Sequence, residues 1–141
     1  MTTALDTDFR AVRTLSAAPD VVFDALTSAD TITRWWGPAT GTDELTLRFA
    51  PGRLVLRVDR AERPTALVWS VLLAEPSPEW IGTRPVFSLS PTADGGTELT
   101  FTHEGLTPRL ECFDSCQGGW NHYLTSLVDF LDRGTGSPYL G

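Results

Sequence analysis

Between Thr42 and Glu104 the hydropathy of the chain repeats every two residues through five successive runs, with only short turns between them. Leu45, Leu47 and Phe49 alternate with polar residues, and after a Pro51-Gly52 turn Leu54, Leu56 and Val58 alternate again. Thr65 to Ala74 is a more apolar run carrying Trp69; Trp80 to Ser90 follows "EPSP", and Thr97 to Glu104 follows "TADGG". Alternation of this kind predicts strands with one buried face. Connections so short permit only antiparallel pairing, because a parallel crossover takes a dozen residues or more. The result is a meander with one face that must be covered by something else.

The cover is sought in residues 108–133. At about 100° per step, Cys112, Phe113, Cys116, Trp120, Tyr123, Leu124, Leu127, Phe130 and Leu131 fall on one arc, while Glu111, Asp114, Asn121, His122, Thr125, Asp129 and Asp132 fall opposite. This predicts an amphipathic helix from about Pro108 to Arg133, capped by Thr107 and stopped by Gly134. At about 1.5 Å per residue it is long enough to cross a sheet. Upstream, Phe9 to Leu15 reads as a first strand. Pro19 opens a short helix with Val22, Phe23 and Leu26 on one side; Ser28 is placed to cap a second, which groups Ile32, Trp35 and Trp36 and stops at Gly37-Pro38. The expected class is α+β: about six antiparallel strands, two short helices after the first strand, and a long C-terminal helix. At 141 residues the chain fits one domain spanning 1–141.

Composition narrows the partners. All eleven basic residues are arginine, against eighteen Asp plus Glu, for a net charge of −7. A nucleic-acid partner is not expected, because no clustered positive surface is available. Without lysine no side chain can form a Schiff base. No run of eighteen apolar residues and no signal-like N-terminus appear, so the expectation is a soluble, cytoplasmic protein with no membrane partner. Two cysteines four residues apart suit free thiols in a reducing compartment.

A strand, two short helices, a meander and a long final helix, together with "RTLSAAPDVVFDALTSADTITRWWGP", "GGTELTFTHEGL" and "GGWNHYLTSLVDFLDRG", make the chain resemble the START-like superfamily of helix-grip proteins. Within it, the sequence looks like the bacterial branch related to the activator of heat-shock-protein ATPase. The resemblance implies a curved sheet gripping the helix, and a cavity for an apolar ligand between them. The residues expected to line it are Trp35 and Trp36 from the second short helix, Trp69, Phe87, Phe101 and His103 from the sheet, and Cys112, Cys116, Trp120, Tyr123 and Leu127 from the last helix. Neither the His-Asp ligands of mononuclear-iron oxygenases nor Cys-His iron-sulfur spacing is seen, so no metal or other cofactor is expected.

His103 is the titratable residue of interest. Period two points it inward with Leu99 and Phe101, either as a satisfied core histidine or as a polar anchor or general acid/base; His122 is expected to face water. Gly118 and Gly119 cost a helix interior roughly 1 kcal/mol each relative to alanine, which a close approach, a bend at the cavity mouth, or packing on the Trp35-Trp36 helix would offset. Five Trp and seven Phe are a heavy aromatic load, so some rings are expected to wall a cavity rather than fill a core. Three functions fit: a carrier for a small hydrophobic ligand, an aromatase/cyclase-type enzyme in which His103 shuttles a proton, or a chaperone-associated interaction module. A homodimer is compatible with each.

Overall fold

In the computed structural model, which describes residues 7–49 and 52–140, the chain forms seven strands and three α-helices. They run β1 (Phe9–Leu15), α1 (Pro19–Thr27), α2 (Ala29–Trp35), β2 (Ala39–Gly41), β3 (Glu44–Phe49), β4 (Gly52–Glu62), β5 (Ala66–Ala74), β6 (Arg84–Pro91), β7 (Thr97–Glu104) and α3 (Phe113–Arg133). The order across the sheet is β1-β7-β6-β5-β4-β3-β2, every pair antiparallel. This is the helix-grip arrangement. One strand exceeds the expected six: β2, three residues long, pairs Ala39 with Leu47 on the edge. It is too short for a period to register. The expected Pro51 turn lies outside the described residues.

The meander pairs each strand with its sequence neighbour, whereas β1 closes onto the last strand, with Phe9 opposite His103 and Leu15 opposite Thr97. Register shifts between Val55 and Leu56 and between Val58 and Arg60 interrupt the β4–β5 ladder. Such bulges bend a strand and raise its twist, curving the sheet toward α3. Leu45, Leu47, Leu56, Leu67, Trp69, Phe87, Leu99 and Phe101 stand on the concave side and are buried. Trp35, Leu124 and Leu127 meet them from the helices.

Two boundaries differ from the sequence expectation, each through a tertiary contact. Residues 78–80 form a turn of 3₁₀-helix rather than the start of a strand, and β6 begins at Arg84. Pro85 is internal to the sheet; its pairing to β7 continues, but the β5 ladder starts only at Val86. Finally, α3 begins at Phe113, not near Pro108, and Cys112 occupies its N-cap position without a side-chain cap. Thr107 instead accepts the Leu110 N–H in a turn. The cap comes from far away: Glu79 accepts the backbone N–H groups of Glu111 at 3.2 Å and Cys112 at 3.1 Å. A carboxylate there satisfies donors that a helix start leaves free. Gly134 ends α3 at φ 85°, in the left-handed region that glycine adopts without strain.

Candidate functional site

The Glu79 cap ties the β5–β6 connection to the start of α3, and Trp80 lands on the helix as a consequence. Its indole stacks on Trp120 at 5.7 Å with the planes 3° apart, and its edge meets His103 at 4.6 Å. Its Nε1–H donates to Cys116 Sγ at 3.1 Å. Trp120 is held on the other side. Its Nε1–H donates to His103 Nδ1 at 2.9 Å, and His103 Nε2 lies 2.7 Å from Thr83 Oγ1, which donates to the Trp80 carbonyl at 2.6 Å.

That chain of bonds assigns the protons. Because Nδ1 accepts from an indole that can only donate, Nε2 carries the imidazole hydrogen and donates to Thr83. His103 is wholly buried, and burial holds its pKa down to about 3, so it is neutral at ordinary pH. Both nitrogens are engaged. The same ring that fixes Trp120 also fixes, through Thr83, the backbone that carries Trp80.

In front of the paired indoles lies a pocket of about 220 Å³. Trp36, Leu54, Ala74 and Trp120 form its buried floor, Phe49, Trp80 and Tyr123 its half-buried walls, and Gly119 and Cys116 the α3 side; Pro76, Ser77 and Ser115 edge the opening. Gly119 contributes volume by its missing side chain: apart from adjoining residues and the helix's own backbone, no atom lies within 4 Å of where a Cβ would stand, at either Gly118 or Gly119. The expected close backbone approach and packing on α2 are therefore absent at both. Burial, with Tyr139 beside it, holds the Tyr123 hydroxyl above its ordinary pKa, so it stays protonated.

Of the residues expected at the cavity, Trp36, Cys116, Trp120 and Tyr123 meet at this pocket. The others stand elsewhere. Trp35 is buried beneath it, its Nε1–H on Ala25 O at 2.9 Å. Trp69 stacks under Trp36 at 5.7 Å, and Phe87 and Phe101 continue the aromatic core toward Trp120. His103 sits behind Trp120 and Trp80. Leu127 is core one turn further along α3, and Cys112 is half-buried at the helix start. Both thiols are free, though only Cys116 is buried. Cys112 is pushed well above the ordinary thiol range, by burial first and then by its hydrogen bond to Cys116.

The residues that sequence reasoning missed are Trp80, Phe49 and the Ser77-Ser115 rim. For Trp80 a signal existed: "EPSPEW" places two prolines before it, which is poor strand material. Among the described residues no group of three or more His, Cys, Asp or Glu is gathered as metal ligands, and no helix is long and apolar enough to cross a membrane.

The family model of the Activator of Hsp90 ATPase homolog 1-like proteins matches residues 16–132. Among solved structures, the Aha1 dimer from Colwellia psychrerythraea superposes with a TM-score of 0.82 at 24% identity, over 92% of this chain and 99% of that one. DynU16, of the dynemicin biosynthetic locus, gives 0.76 at 23% identity over 96% of this chain and 51% of its own. CalU16 from Micromonospora echinospora gives 0.71 at 24%, over 92% and 76%. At such identities these likenesses carry the fold. No curated protein matches the chain.

Proposed function

Since the chain belongs to the Activator of Hsp90 ATPase homolog 1-like family, we propose that it works as a binding protein for a small apolar or aromatic ligand seated in the Trp36–Trp80–Trp120 pocket. The observation that carries this reading is the lining itself. Three indoles, Phe49 and Tyr123 surround a volume of about 220 Å³, with hydroxyls at the rim and a thiol on the helix side. Ligand sites for drug-sized molecules run to roughly 300–1,000 Å³, so this one suits a molecule of one or two rings. Aromatic faces attract such rings by apolar burial and by offset or edge-on stacking. The protonated Tyr123 hydroxyl is available to orient a ligand carbonyl or hydroxyl.

The lining contains no carboxylate, imidazole or guanidinium among the described residues. Binding is therefore favoured over proton-transfer catalysis, whose candidate, His103, is committed to Trp120 and Thr83. The exposed large apolar side chains, Val12, Val21, Leu72, Ile81 and Leu140, come from five separate segments. Five such side chains among the described residues give a protein-interaction module little to work with. The placement of DynU16 in a biosynthetic locus is a further point for small-molecule chemistry.

Titration with 2-naphthol, followed by tryptophan emission and calorimetry, tests the proposal. One saturable site is expected in the wild-type protein. Gly119→Leu fills the pocket from the helix side and is expected to lower affinity at least about tenfold, the effect of roughly 1.4 kcal/mol. Equal affinity in a Gly119→Leu protein that melts normally would sink the assignment.

A further inference from the structure

Cys116 is the one nucleophilic thiol on the pocket wall, and its surroundings exceed what packing needs. Its Sγ receives the Trp80 Nε1–H at 3.1 Å and has Ser77 Oγ at 3.8 Å, with the Cys112 thiol interacting beside it. The Trp80 N–H is placed to hold the charge of an attacking thiolate, and the Ser77 hydroxyl stands where it can turn toward it. Cys112 is no rival nucleophile: burial first, and then Cys116 beside it, hold its thiol well above the ordinary range, so it keeps its proton. On the pocket side, the sulfur faces aromatic walls and open volume.

We propose that Cys116 is a covalent capture site for soft aromatic electrophiles, aryl enones and quinones above all, which the pocket presents to its sulfur. The step balances without a co-reactant. The S–H bond breaks, a bond forms between Sγ and the β carbon, and the alkene π pair moves toward the carbonyl. The proton lost from sulfur ends on the α carbon, leaving a thioether and a saturated ketone. A quinone gives a hydroquinone thioether by the same addition. Each molecule captures one equivalent. This rests on the pocket reading above and gives it a ligand class.

Phenyl vinyl ketone added to the full chain, with adducts followed by intact mass and mapped by peptide mass, provides the test. One adduct at Cys116 is expected, forming at least about tenfold faster than at the cysteines of the urea-unfolded chain at the same pH. Saturating 2-naphthol is expected to slow it, Cys116→Ser to abolish it, and Cys112→Ser to preserve it. If 2-naphthol binds but Cys116 reacts no faster than in the unfolded chain, or if Cys112 is labelled first, the capture site is overturned and the pocket reading stands. Labelling of Cys116 that 2-naphthol leaves unslowed overturns delivery through the pocket. Failure of both binding and labelling overturns both proposals.

Discussion

The indole N–H of Trp120 ends on Nδ1 of His103, 2.9 Å away and shielded from water. One bond thus joins a pocket wall to the last strand of the sheet, and it sets which nitrogen of the histidine carries hydrogen. Had the imidazole been charged, two N–H donors would face each other there. The neutral form is a condition of the packing.

His103 is therefore expected to matter to stability first. His103→Phe leaves the Trp120 N–H without an acceptor and the Thr83 hydroxyl oxygen without its donor, at a cost of about 1–3 kcal/mol; His103→Gln, which keeps polar ends, is expected to cost less. Denaturant melts measure both. The pH dependence follows from a folded-state pKa of about 3 against the ordinary histidine value of 6.5. Below 6.5 the unfolded chain takes up a proton that the folded one refuses, so stability is full above that pH. It is expected to fall between the ordinary and the folded-state values, by about 1 kcal/mol per pH unit. His103→Gln should flatten that slope; an unchanged slope in the variant would show that other groups set it.

Gly118 and Gly119 have no neighbour that a methyl group would strike. Gly118→Ala is expected to stabilise the protein by about 1 kcal/mol through helix propensity alone, with 2-naphthol affinity unchanged. Thermal melts and titration read the two effects separately. Destabilisation would mean that a bend at Gly118 is needed.

Trp35 and Trp69 are both fully buried and differ in one bond. Trp35 Nε1–H donates to Ala25 O at 2.9 Å, while Trp69 Nε1 has no partner among the described residues. Trp35→Phe is expected to cost more than Trp69→Phe by about 1 kcal/mol or more, since only the first loses a hydrogen bond and the second removes an unpaired donor. Equal losses in urea melts would place the Trp69 N–H on a partner.

The segment after α3 is docked rather than loose. Ser126 Oγ donates to Trp35 O at 2.7 Å and accepts the Ser137 N–H at 2.6 Å, and Tyr139 N donates to Trp36 O at 2.9 Å while its ring meets Phe49 at 5.4 Å. Ser126→Ala removes both Ser126 bonds at a buried position and is expected to cost about 1–3 kcal/mol. Amide exchange at Ser137 and Tyr139 is expected to speed up before global unfolding. Protection retained at both amides would show that the ring contacts alone hold the segment.

By itself the sequence determined the layers. Strand alternation from Leu45 to His103 and the arc from Cys116 to Leu131 depend on side chains repeating with the backbone's own period, and a period is a local property. Gly134 and Pro19 mark helix ends for equally local reasons. Position along the third dimension decided the rest. Glu79 caps a helix that starts thirty-odd residues later, so neither the true start of α3 nor the place of Trp80 could be read from neighbours in the chain. His103 was correctly phased inward, yet inward turned out to mean behind Trp120 rather than beside a ligand. Ser126 lies outside the arc that periodicity picks out, yet it is buried, because Trp35 and Ser137 supply its partners. Periodicity tells which way a side chain points; only packing tells what it meets there, because hydrogen bonds and stacked rings form between segments whose separation in sequence carries no record of their distance in space.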